Sequence, residues 1–478
     1  MELTRVFRGC ILFCICSSVG AQTLHLSSGF PDFGWMVAPE EYAKHYTDQP
    51  LFRLKTDFPA VLPKQLPSAF EIDFRAEPQN YIEAIRDYVF EGNVPAFGGE
   101  GAAWDPYANP VRQWYHIPWL HPPAPLYPPD GGTEGFRGLT KEAQVMPLQL
   151  SEHQRGDYQV YAITLVNDFA GYTLGKMWQD ADNPDPSVTD RRYGGGFPPG
   201  TIFAKLLFTD APAKPGDSTM FPEDYVEFLN NPIEWTAYIT QQWCEKTGPT
   251  TCSGKRAALP VRLLQMDLMI RDPRANDYTG WVFGTYVYNG AVNNPKSRFL
   301  NLVPLGVQWG NEPENIQNRT NPYPPIAIES AINPDLTQQV VFATPNTPKQ
   351  HLGWNGRLNG PADLNTSSCM SCHTTAQYPA LTPLIAEGMM DAGKQLPPVQ
   401  GGSKVWMEWF QNVPAATSIN RSAYSTDMSL QVAMALTNFY LNKERTVQGM
   451  WADLYHATVP ISRGGHPPET SEKRIHQQ

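Results

Sequence analysis

The chain has little positive charge, few cysteines and only one long hydrophobic run. Its 36 Lys and Arg residues are outnumbered by 47 Asp and Glu residues, which gives a formal net charge of −11 at pH 7. A surface that binds nucleic-acid phosphates needs a basic patch, so this balance argues against a nucleic-acid partner. The 478 residues suffice for two or three domains, and the sequence shows no repeat of the length typical of a propeller.

The one hydrophobic run lies at the N-terminus and has the order of a signal peptide. Two arginines precede the apolar stretch 10–16, and Val19 and Ala21 place small residues just before a cleavage site. The stretch is too short to span a bilayer. We therefore expect removal of residues 1–21, export to the periplasm or the exterior, and a mature chain without a membrane span.

Cysteine is scarce, with seven residues in all, three of which lie in the expected signal peptide. Cys244 and Cys252 bracket a polar, turn-like segment. In an oxidising compartment this spacing favours a local disulfide. Such a disulfide would raise the free energy of unfolding by roughly a few kcal/mol at most, because closing a short loop restricts the unfolded chain least.

The other two cysteines belong to a C-x-x-C-H run, Cys369-Met370-Ser371-Cys372-His373. This run is typical of covalent haem c attachment. Two thiols at this spacing can bond to the two vinyl groups of one porphyrin edge, and the adjoining histidine then binds the iron on the proximal side. We expect one covalent haem c, bound by Cys369 and Cys372, with His373 as the iron ligand.

Three other interpretations of the C-x-x-C-H run stay open. A structural zinc site would need two further ligands at regular spacing, and the expected mature chain has no second C-x-x-C pair. A thioredoxin-like redox pair would follow a strand in a βαβ unit, whereas this run follows a loop rich in glycine. The third interpretation is a chance occurrence of the pattern.

The segment around this run, roughly residues 350–445, resembles a small class I c-type cytochrome domain. The attachment motif lies near its start, and residues 428–439 near its end carry an apolar stripe typical of a helix, which Asp427 could cap. The resemblance implies an all-α fold and a Met sulfur as the distal iron ligand. Met428 is the first choice for this ligand and Met407 the alternative, and another ligand or an open distal position is not excluded by the sequence.

The loop just before the motif contains a candidate contact for the haem. Arg357 lies in the glycine-rich stretch 351–361, where the chain could wrap closely over a cofactor. It is a candidate partner for a haem propionate. The alternative is a solvated arginine in a simple interdomain loop.

The preceding three hundred residues have a different pattern, dominated by period-two alternation of apolar residues. This alternation predicts strands at 158–166, 201–208, 262–270 and 281–288, and helical patterns occur at 81–90 and 222–243. The chain is therefore expected to be a multidomain α+β protein. Its expected parts are the signal peptide (1–21), a β-rich, sandwich or barrel-like domain with a few helices (22–325), a small all-α cytochrome c domain (326–455) and a disordered tail (456–478). The boundary between the two domains is expected in the polar, proline-rich segment 311–325.

The β-rich region contains one cluster of potential metal ligands, at 114–121. His116 and His121 are five residues apart, and Pro118 between them breaks a helix. In an extended chain they point to opposite faces, so a shared metal site would need a bend. A ligand role and a purely structural role both stay open.

Known haem c fusions narrow the expected function. A copper nitrite reductase needs a blue-copper ligand set that neither Cys244 nor Cys252 can supply. A quinohaemoprotein dehydrogenase needs the sequence repeats of a propeller, which this sequence does not show. A dihaem peroxidase needs a second C-x-x-C-H motif, which the sequence also lacks. The chain is similar to uncharacterised exported bacterial proteins that join a large N-terminal domain to a C-terminal cytochrome c, mainly over 114–121, 281–288 and the haem motif. That resemblance names no substrate.

We therefore expect a monohaem cytochrome that transfers single electrons to or from a partner protein or a small-molecule donor or acceptor. The β-rich domain would then be a docking or support module. One alternative is an oxidoreductase with a small-molecule site in the β-rich domain and the haem as electron outlet. The other is a haem-based sensor with an open or displaceable distal position.

Overall fold

The structure is a computed structural model that describes residues 30, 52–93, 106–121, 133–218, 220–240, 256–316, 328–334, 352–364, 366–380, 390–391, 394–395 and 400–448. The helices of this part are α1 (Pro78–Phe90), α2 (Asp168–Met177), α3 (Cys369–His373), α4 (Lys404–Met407) and α5 (Leu430–Gln448). The strands are β1 (Thr140–Val145), β2 (Tyr158–Val166), β3 (Ile202–Thr209), β4 (Glu234–Thr240), β5 (Arg256–Arg271), β6 (Trp281–Tyr288), β7 (Leu302–Gln308), β8 (Ser330–Ile332), β9 (Gln377–Tyr378), β10 (Met390–Asp391), β11 (Lys394–Gln395) and β12 (Tyr424–Ser425).

A large antiparallel sheet dominates the fold, as the alternating sequence pattern predicts. Its strand order is β1-β2-β3-β5-β6-β7-β8, and β4 pairs with β5 outside this path. The four strands predicted from period-two alternation are confirmed as β2, β3, β5 and β6. The described strands of the β-rich region, together with β8, form one large sheet rather than a sandwich of two.

The two helices predicted in the β-rich region have different outcomes. The helix predicted at 81–90 is confirmed as α1, which starts three residues earlier with Pro78 in its first turn. The helix predicted at 222–243 is wrong, since this stretch contains β4. Within β4, the side chains of Trp235, Ala237 and Ile239 are buried at alternating positions, which is the period of a strand.

One face of the sheet packs against α1. Gly284 on β6 lies so close to this helix that an added Cβ would come within 2.0 Å of the Ile82 side chain. Two residues further along β6, the Tyr286 hydroxyl donates to the Ile82 carbonyl at 2.5 Å. Glycine therefore allows the helix to approach the sheet closely at this point.

The opposite face of the sheet packs against α2, α5 and the C-terminal segments. A row of apolar side chains crosses β2, β3, β5 and β6 on this face: Val166, Phe203, Met269 and Phe283 are successive cross-strand partners. They share one buried cluster with Leu174 of α2, Met370 of α3 and Leu436 of α5. The C-terminal segments thus complete the core of the sheet.

The small all-α cytochrome c domain expected at 326–455 is not shown by the structure. The described residues of this region include β8, which extends the large sheet, and two short pairings, β9 with β12 and β10 with β11. The helix expected near the end is present as α5 but begins at Leu430. The Ser429 hydroxyl accepts from the Val432 amide at 3.2 Å, so Ser429, rather than Asp427, supplies the cap.

Some expectations fall on residues outside the described part of the chain. These are the signal peptide (1–21), the Cys244–Cys252 disulfide, most of the boundary segment (311–325) and the tail (456–478). They stay predictions. Within the described residues, no helix is both long and apolar enough to cross a bilayer.

Candidate functional site

The C-x-x-C-H motif forms the short helix α3 on the sheet face opposite α1. Ser368 and Ser371 close a reciprocal capping box at its start: the Ser371 amide donates to the Ser368 hydroxyl at 3.1 Å, and the Ser368 amide donates to the Ser371 hydroxyl at 2.8 Å. The Met370 amide donates to the side-chain carbonyl of Gln308 on β7 at 3.3 Å. The motif is therefore fixed to the sheet by its own backbone.

The two cysteines of the motif are thiols, with no disulfide between them. They lie three residues apart on one helix, so their side chains share a face. The Cys369 Sγ lies 3.3 Å from the hydroxyl of Thr285 on β6. Burial raises the pKa of the Cys369 thiol well above its usual range, and the nearby Asp267 adds to this shift, so the unmodified thiol stays protonated at neutral pH.

The imidazole of His373 is oriented by a backbone carbonyl. Its Nδ1 lies 2.8 Å from the Met428 carbonyl oxygen, and because a carbonyl can only accept, Nδ1 carries the proton and Nε2 keeps a lone pair. Burial lowers the pKa of His373 to about 4, and Lys205 adds to the shift, so the ring is neutral at pH 7. Phe283 packs against it with ring centroids 4.9 Å apart. The neutral ring, with its lone pair on Nε2, can therefore bind a metal through that nitrogen.

The turn that presents the Met428 carbonyl is itself tied to the sheet. Asp427 and Met428 both have left-handed backbone angles, with φ of 50° and 65°. The buried Asp427 carboxylate accepts from the Phe197 amide at 2.7 Å, the Ala416 amide at 2.6 Å and the Trp281 indole at 2.8 Å. Three donors offset the cost of burying this carboxylate, and the turn they fix aims the carbonyl at the imidazole.

The structure brings Met428 and His373 together through the backbone of Met428 rather than through its sulfur. The Met428 carbonyl lies behind Nδ1, on the side of the imidazole away from Nε2. Its side chain is 4% exposed and packs in the apolar cluster beside α3. A distal ligand must approach iron from the side opposite His373, so this placement argues against the distal role expected for Met428.

Met407, the alternative distal ligand, lies in a different apolar cluster. It packs on a group of aromatic side chains, Trp354, Trp406, Trp409 and Phe410. That cluster is separate from the one that contains Met370 and Phe283 beside α3. The described contacts therefore do not bring Met407 to His373.

Arg357 is fully buried, so the alternative of a solvated surface arginine is wrong. Its guanidinium donates to four backbone carbonyls, those of Asn311 (2.9 Å), Trp354 (2.9 Å), Glu312 (2.7 Å) and Asn315 (3.1 Å). Burial lowers the pKa of Arg357 to about 10, so it stays charged at neutral pH. These contacts give it a role in holding the loop before α3, and the expected propionate contact stays a prediction.

A row of polar side chains that sequence reasoning missed lies beside the motif. Lys205 of β3 is the cross-strand partner of Thr164 and of Asp267, and Asp267 in turn is opposite Thr285. The Lys205 ammonium lies 3.1 Å from the Glu142 carboxylate. Burial alone would lower the pKa of Lys205, but its acidic neighbours outweigh this and raise it. A charged lysine therefore sits on the sheet face that carries α3.

Two carboxylates next to this lysine are held by one amide. The Gln265 side-chain nitrogen lies 2.8 and 2.9 Å from the two Asp267 oxygens and 2.9 Å from an Asp363 oxygen. Asp363 belongs to the loop that leads into α3. Burial raises the pKa of Asp267, and the nearby Asp363 raises it further. Charged residues within apolar alternation, at 205 and 267, are a signal in the sequence that marks each position as unusual, although it does not show that they are neighbours.

These side chains form a partly accessible strip between the sheet and α3, which we call the crevice. Cys369, Cys372, His373 and Asp267 keep intermediate accessible surface amid buried neighbours, and the Lys205 side chain is 24% exposed in the middle of the sheet. Two thiols at this spacing, beside an imidazole with a lone pair on Nε2, fit a covalent haem c. Cys369 and Cys372 would hold the group and His373 would bind its iron. When bound, haem supplies reversible one-electron chemistry.

The two histidines of the 114–121 cluster have separate surroundings. The buried His116 Nδ1 accepts from the Lys55 amide at 2.7 Å, a structural contact. His121 keeps intermediate surface, and burial lowers its pKa to about 3, with Lys205 adding to the shift. The chain bends between them at Trp119, whose φ is 59°. No described contact joins the two rings, so the structure does not show a metal site shared by them.

One other group among the described residues has the composition of a metal site. Ligand atoms of Glu152, His153 and Glu227 lie within 4.8 Å of one another. His153 Nε2 lies 3.2 Å from Glu227 and 3.6 Å from Glu152. Because these side chains are half-buried or exposed, ordinary pairing of a histidine with two glutamates explains their arrangement.

No family model matches the chain, and neither the curated proteins nor the solved structures contain a significantly similar chain. These comparisons leave the resemblance to class I cytochromes c untested. The chemistry of the site therefore has to be judged from its own geometry.

Proposed function

We propose that the protein is an exported monohaem c-type cytochrome that transfers single electrons, and that the large sheet forms one wall of its haem crevice. The observation that carries this proposal is the hydrogen bond between His373 Nδ1 and the Met428 carbonyl. It fixes the tautomer and orientation that an iron ligand needs, directly beside two thiols at the attachment spacing. The same hydrogen bond leaves the lone pair on Nε2, the nitrogen that would bind iron.

The contacts of α3 support a closer role for the sheet than docking alone. Thr285 contacts Cys369, Phe283 packs on His373, and Gln308 binds the backbone of Met370. Hydrogen bonding and burial around a haem set its reduction potential. The sheet would thus tune the potential, and electrons would be exchanged with a partner protein or a small molecule in the periplasm or outside the cell.

One observation favours a second candidate function, an oxidoreductase with a small-molecule site beside the haem. Lys205, Asp267 and Asp363 are titratable groups gathered next to the attachment motif, and the pKa of both Lys205 and Asp267 is shifted. Such clusters in a crevice are typical of active sites. They could supply or accept protons during oxidation or reduction of a bound molecule.

The proposed function is tested by covalent attachment of haem. The full chain is exported from a host that matures haem c, and the purified protein is extracted with acid acetone. Colour should stay on the polypeptide, and the reduced pyridine adduct should absorb as haem c. The double variant Cys369→Ala, Cys372→Ala should lose the colour, whereas Cys244→Ala, Cys252→Ala should keep it. Free extraction of the haem, or its retention by the first double variant, contradicts the proposal.

The same holoprotein separates the two candidate functions. A pure electron carrier should titrate as a single one-electron couple, and CO should not bind to its ferrous form. Ready binding of CO would show an open distal position and would favour the oxidoreductase or a sensor.

A further inference from the structure

Arginine and tyrosine side chains from two distant segments, 191–193 and 421–424, form one surface. We call it the arginine patch, and its members are Arg191, Arg192, Tyr193, Arg421 and Tyr424. Tyr193 is 60% exposed, and its ring lies against that of Tyr424 with centroids 5.7 Å apart. The Arg192 guanidinium lies 5.7 Å from the centre of the Tyr193 ring and 5.9 Å from that of Tyr424. Arg191 and Arg421 are exposed.

The backbone under the patch is held by side-chain hydrogen bonds. Arg192 donates to the Ala423 carbonyl at 2.6 Å and also to the Arg421 carbonyl. Its guanidinium pairs with the buried Asp190 carboxylate at 2.7 Å. Asp190 in turn accepts from the Ser425 amide at 2.9 Å. The two segments are thus fixed to each other before any partner binds, which lowers the cost of ordering them in a complex.

The charge of the patch differs in sign from that of the chain. Within the described residues, no ion pair engages Arg191 or Arg421. Arg192 is balanced by Asp190, and Asp185 is the other carboxylate whose charge acts on Tyr424. Three arginines against two carboxylates leave the patch positive, whereas the chain as a whole has a formal net charge of −11.

The patch is joined to the attachment motif by short stretches of chain. Directly beneath it β9 pairs with β12, and Tyr378 lies opposite Tyr424. Strand β9 begins four residues after His373, and β12 ends three residues before Met428. The Met428 carbonyl lies 2.8 Å from Nδ1 of His373. A continuous path of covalent and hydrogen bonds therefore connects the patch with the proposed iron ligand.

We infer that the arginine patch is the docking surface for the redox partner, a protein that carries carboxylates around its own redox centre. This inference rests on the proposed function, because a haem c has to exchange the electron. Arginine and tyrosine are enriched at the centres of protein interfaces, and a guanidinium can bind a carboxylate through two hydrogen bonds. Complementary charge raises the rate of encounter. Because the chain as a whole is acidic, the patch also determines where an acidic partner can approach.

The test uses plastocyanin, an acidic blue-copper protein, as the probe. Ferrous holoprotein is mixed with the oxidised probe in a stopped-flow instrument, and one electron passes from Fe(II) to Cu(II). In the double variant Arg191→Gln, Arg421→Gln the second-order rate constant should fall on the order of tenfold at low salt. The difference from wild type should disappear near 1 M salt, where the Debye length is about 3 Å.

A matched variant and a second oxidant serve as controls. Lys214→Gln, Lys296→Gln removes the same charge from exposed positions. These lysines follow the C-terminal ends of β3 and β6, whereas segment 191–193 precedes β3. This variant should react with plastocyanin at the wild-type rate. The cationic complex tris(phenanthroline)cobalt(III) should oxidise both double variants no more slowly than wild type.

Four results would overturn the inference. They are an unchanged rate in the arginine variant, an equal loss in the lysine variant, equal slowing of the arginine variant with both oxidants, and a wild-type dimer that the arginine variant cannot form. The last would assign the patch to a second copy of the chain. The mass of each purified protein is measured first. Absence of the haem adduct would count against the proposed function, whereas a normal adduct with an unchanged rate would count against docking at the patch alone.

Discussion

Several polar side chains around α3 bond to backbone groups rather than to one another. Arg357 donates only to carbonyls, Asp427 accepts from two amides and an indole, and His373 donates to a carbonyl. A buried donor or acceptor left without its partner costs about 1–3 kcal/mol. These residues therefore fix loops that have no regular secondary structure of their own.

Arg357→Lys should destabilise the protein without removing haem. A lysine has a single ammonium and cannot reproduce four contacts spread over a planar fork. We expect the free energy of unfolding to fall by about 3 kcal/mol, measured by urea denaturation. Arg421→Lys, at an exposed position, is the control. Unchanged stability together with loss of haem would instead assign Arg357 to a propionate.

Asp210 should make stability depend on pH. Burial raises its pKa to about 7 from a usual value of 3.8. In the folded state the charged form is therefore disfavoured, so stability falls as pH rises from about 4 to about 7. Asp210→Asn keeps an oxygen that can accept from the Gln159 amide and has no charge to bury.

The measurement is urea denaturation of wild type and Asp210→Asn across this pH range. Relative to wild type, the variant should gain stability as pH rises and show no further gain above pH 7. Asp277→Asn, at an exposed position, is the control for the substitution. A constant difference between Asp210→Asn and wild type would show that burial does not shift this group.

At the scale of elements, period-two alternation predicted the central strands, although β2 and β6 are buried at every position and are therefore covered on both faces. The same rule identifies β4, where Trp235, Ala237 and Ile239 alternate, so the helix predicted at 222–243 is wrong there. Cross-strand register was beyond the sequence, since it depends on pairing over long separations. Lys205, Asp267 and Thr285 therefore could not be placed side by side in advance.

Only the residues of the candidate site that lie close together in the sequence could be predicted from it. The positions of Cys369, Cys372 and His373 follow from one short motif. The contact between His373 and Met428 spans 55 residues and involves a backbone atom, for which a side-chain pattern gives no signal. Spacing in the sequence suggested the sulfur of Met428, whereas the fold uses its carbonyl.

Gly353→Ala should disturb the start of α3. An added Cβ would lie 2.0 Å from the Ser367 carbonyl oxygen, and the next residue, Trp354, donates its amide to that same oxygen at 2.9 Å. Backbone must move to relieve this clash, so we expect a loss of about 1–3 kcal/mol in stability and incomplete haem attachment. In Gly401→Ala the new Cβ would meet only the Trp354 ring at 3.5 Å, so this control should behave like wild type.

On the scale of the whole molecule, the attachment motif and the sheet share one core. Met370, Phe283, Val432 and Trp281 belong to a single buried cluster, and Cys369 packs against both of the large clusters. An independent cytochrome domain would carry its own core. The motif should therefore depend on the sheet for its structure.

The holoprotein should accordingly unfold the sheet and the haem site together. Urea denaturation followed by haem absorbance and by far-ultraviolet circular dichroism should give coincident transitions, because both signals report one cooperative unit. Two separated transitions would show that the haem-binding region folds independently of the sheet.

The central claim, a haem bound on the sheet face opposite α1, is tested most directly by anomalous scattering at the iron edge from crystals of the holoprotein. We expect one iron atom bound to Nε2 of His373, with both thiols of the motif bonded to the porphyrin and the group lying in the crevice beside Lys205 and Thr285. An iron site away from His373, a zinc atom between Cys369 and Cys372, or a crevice filled by protein side chains would contradict it.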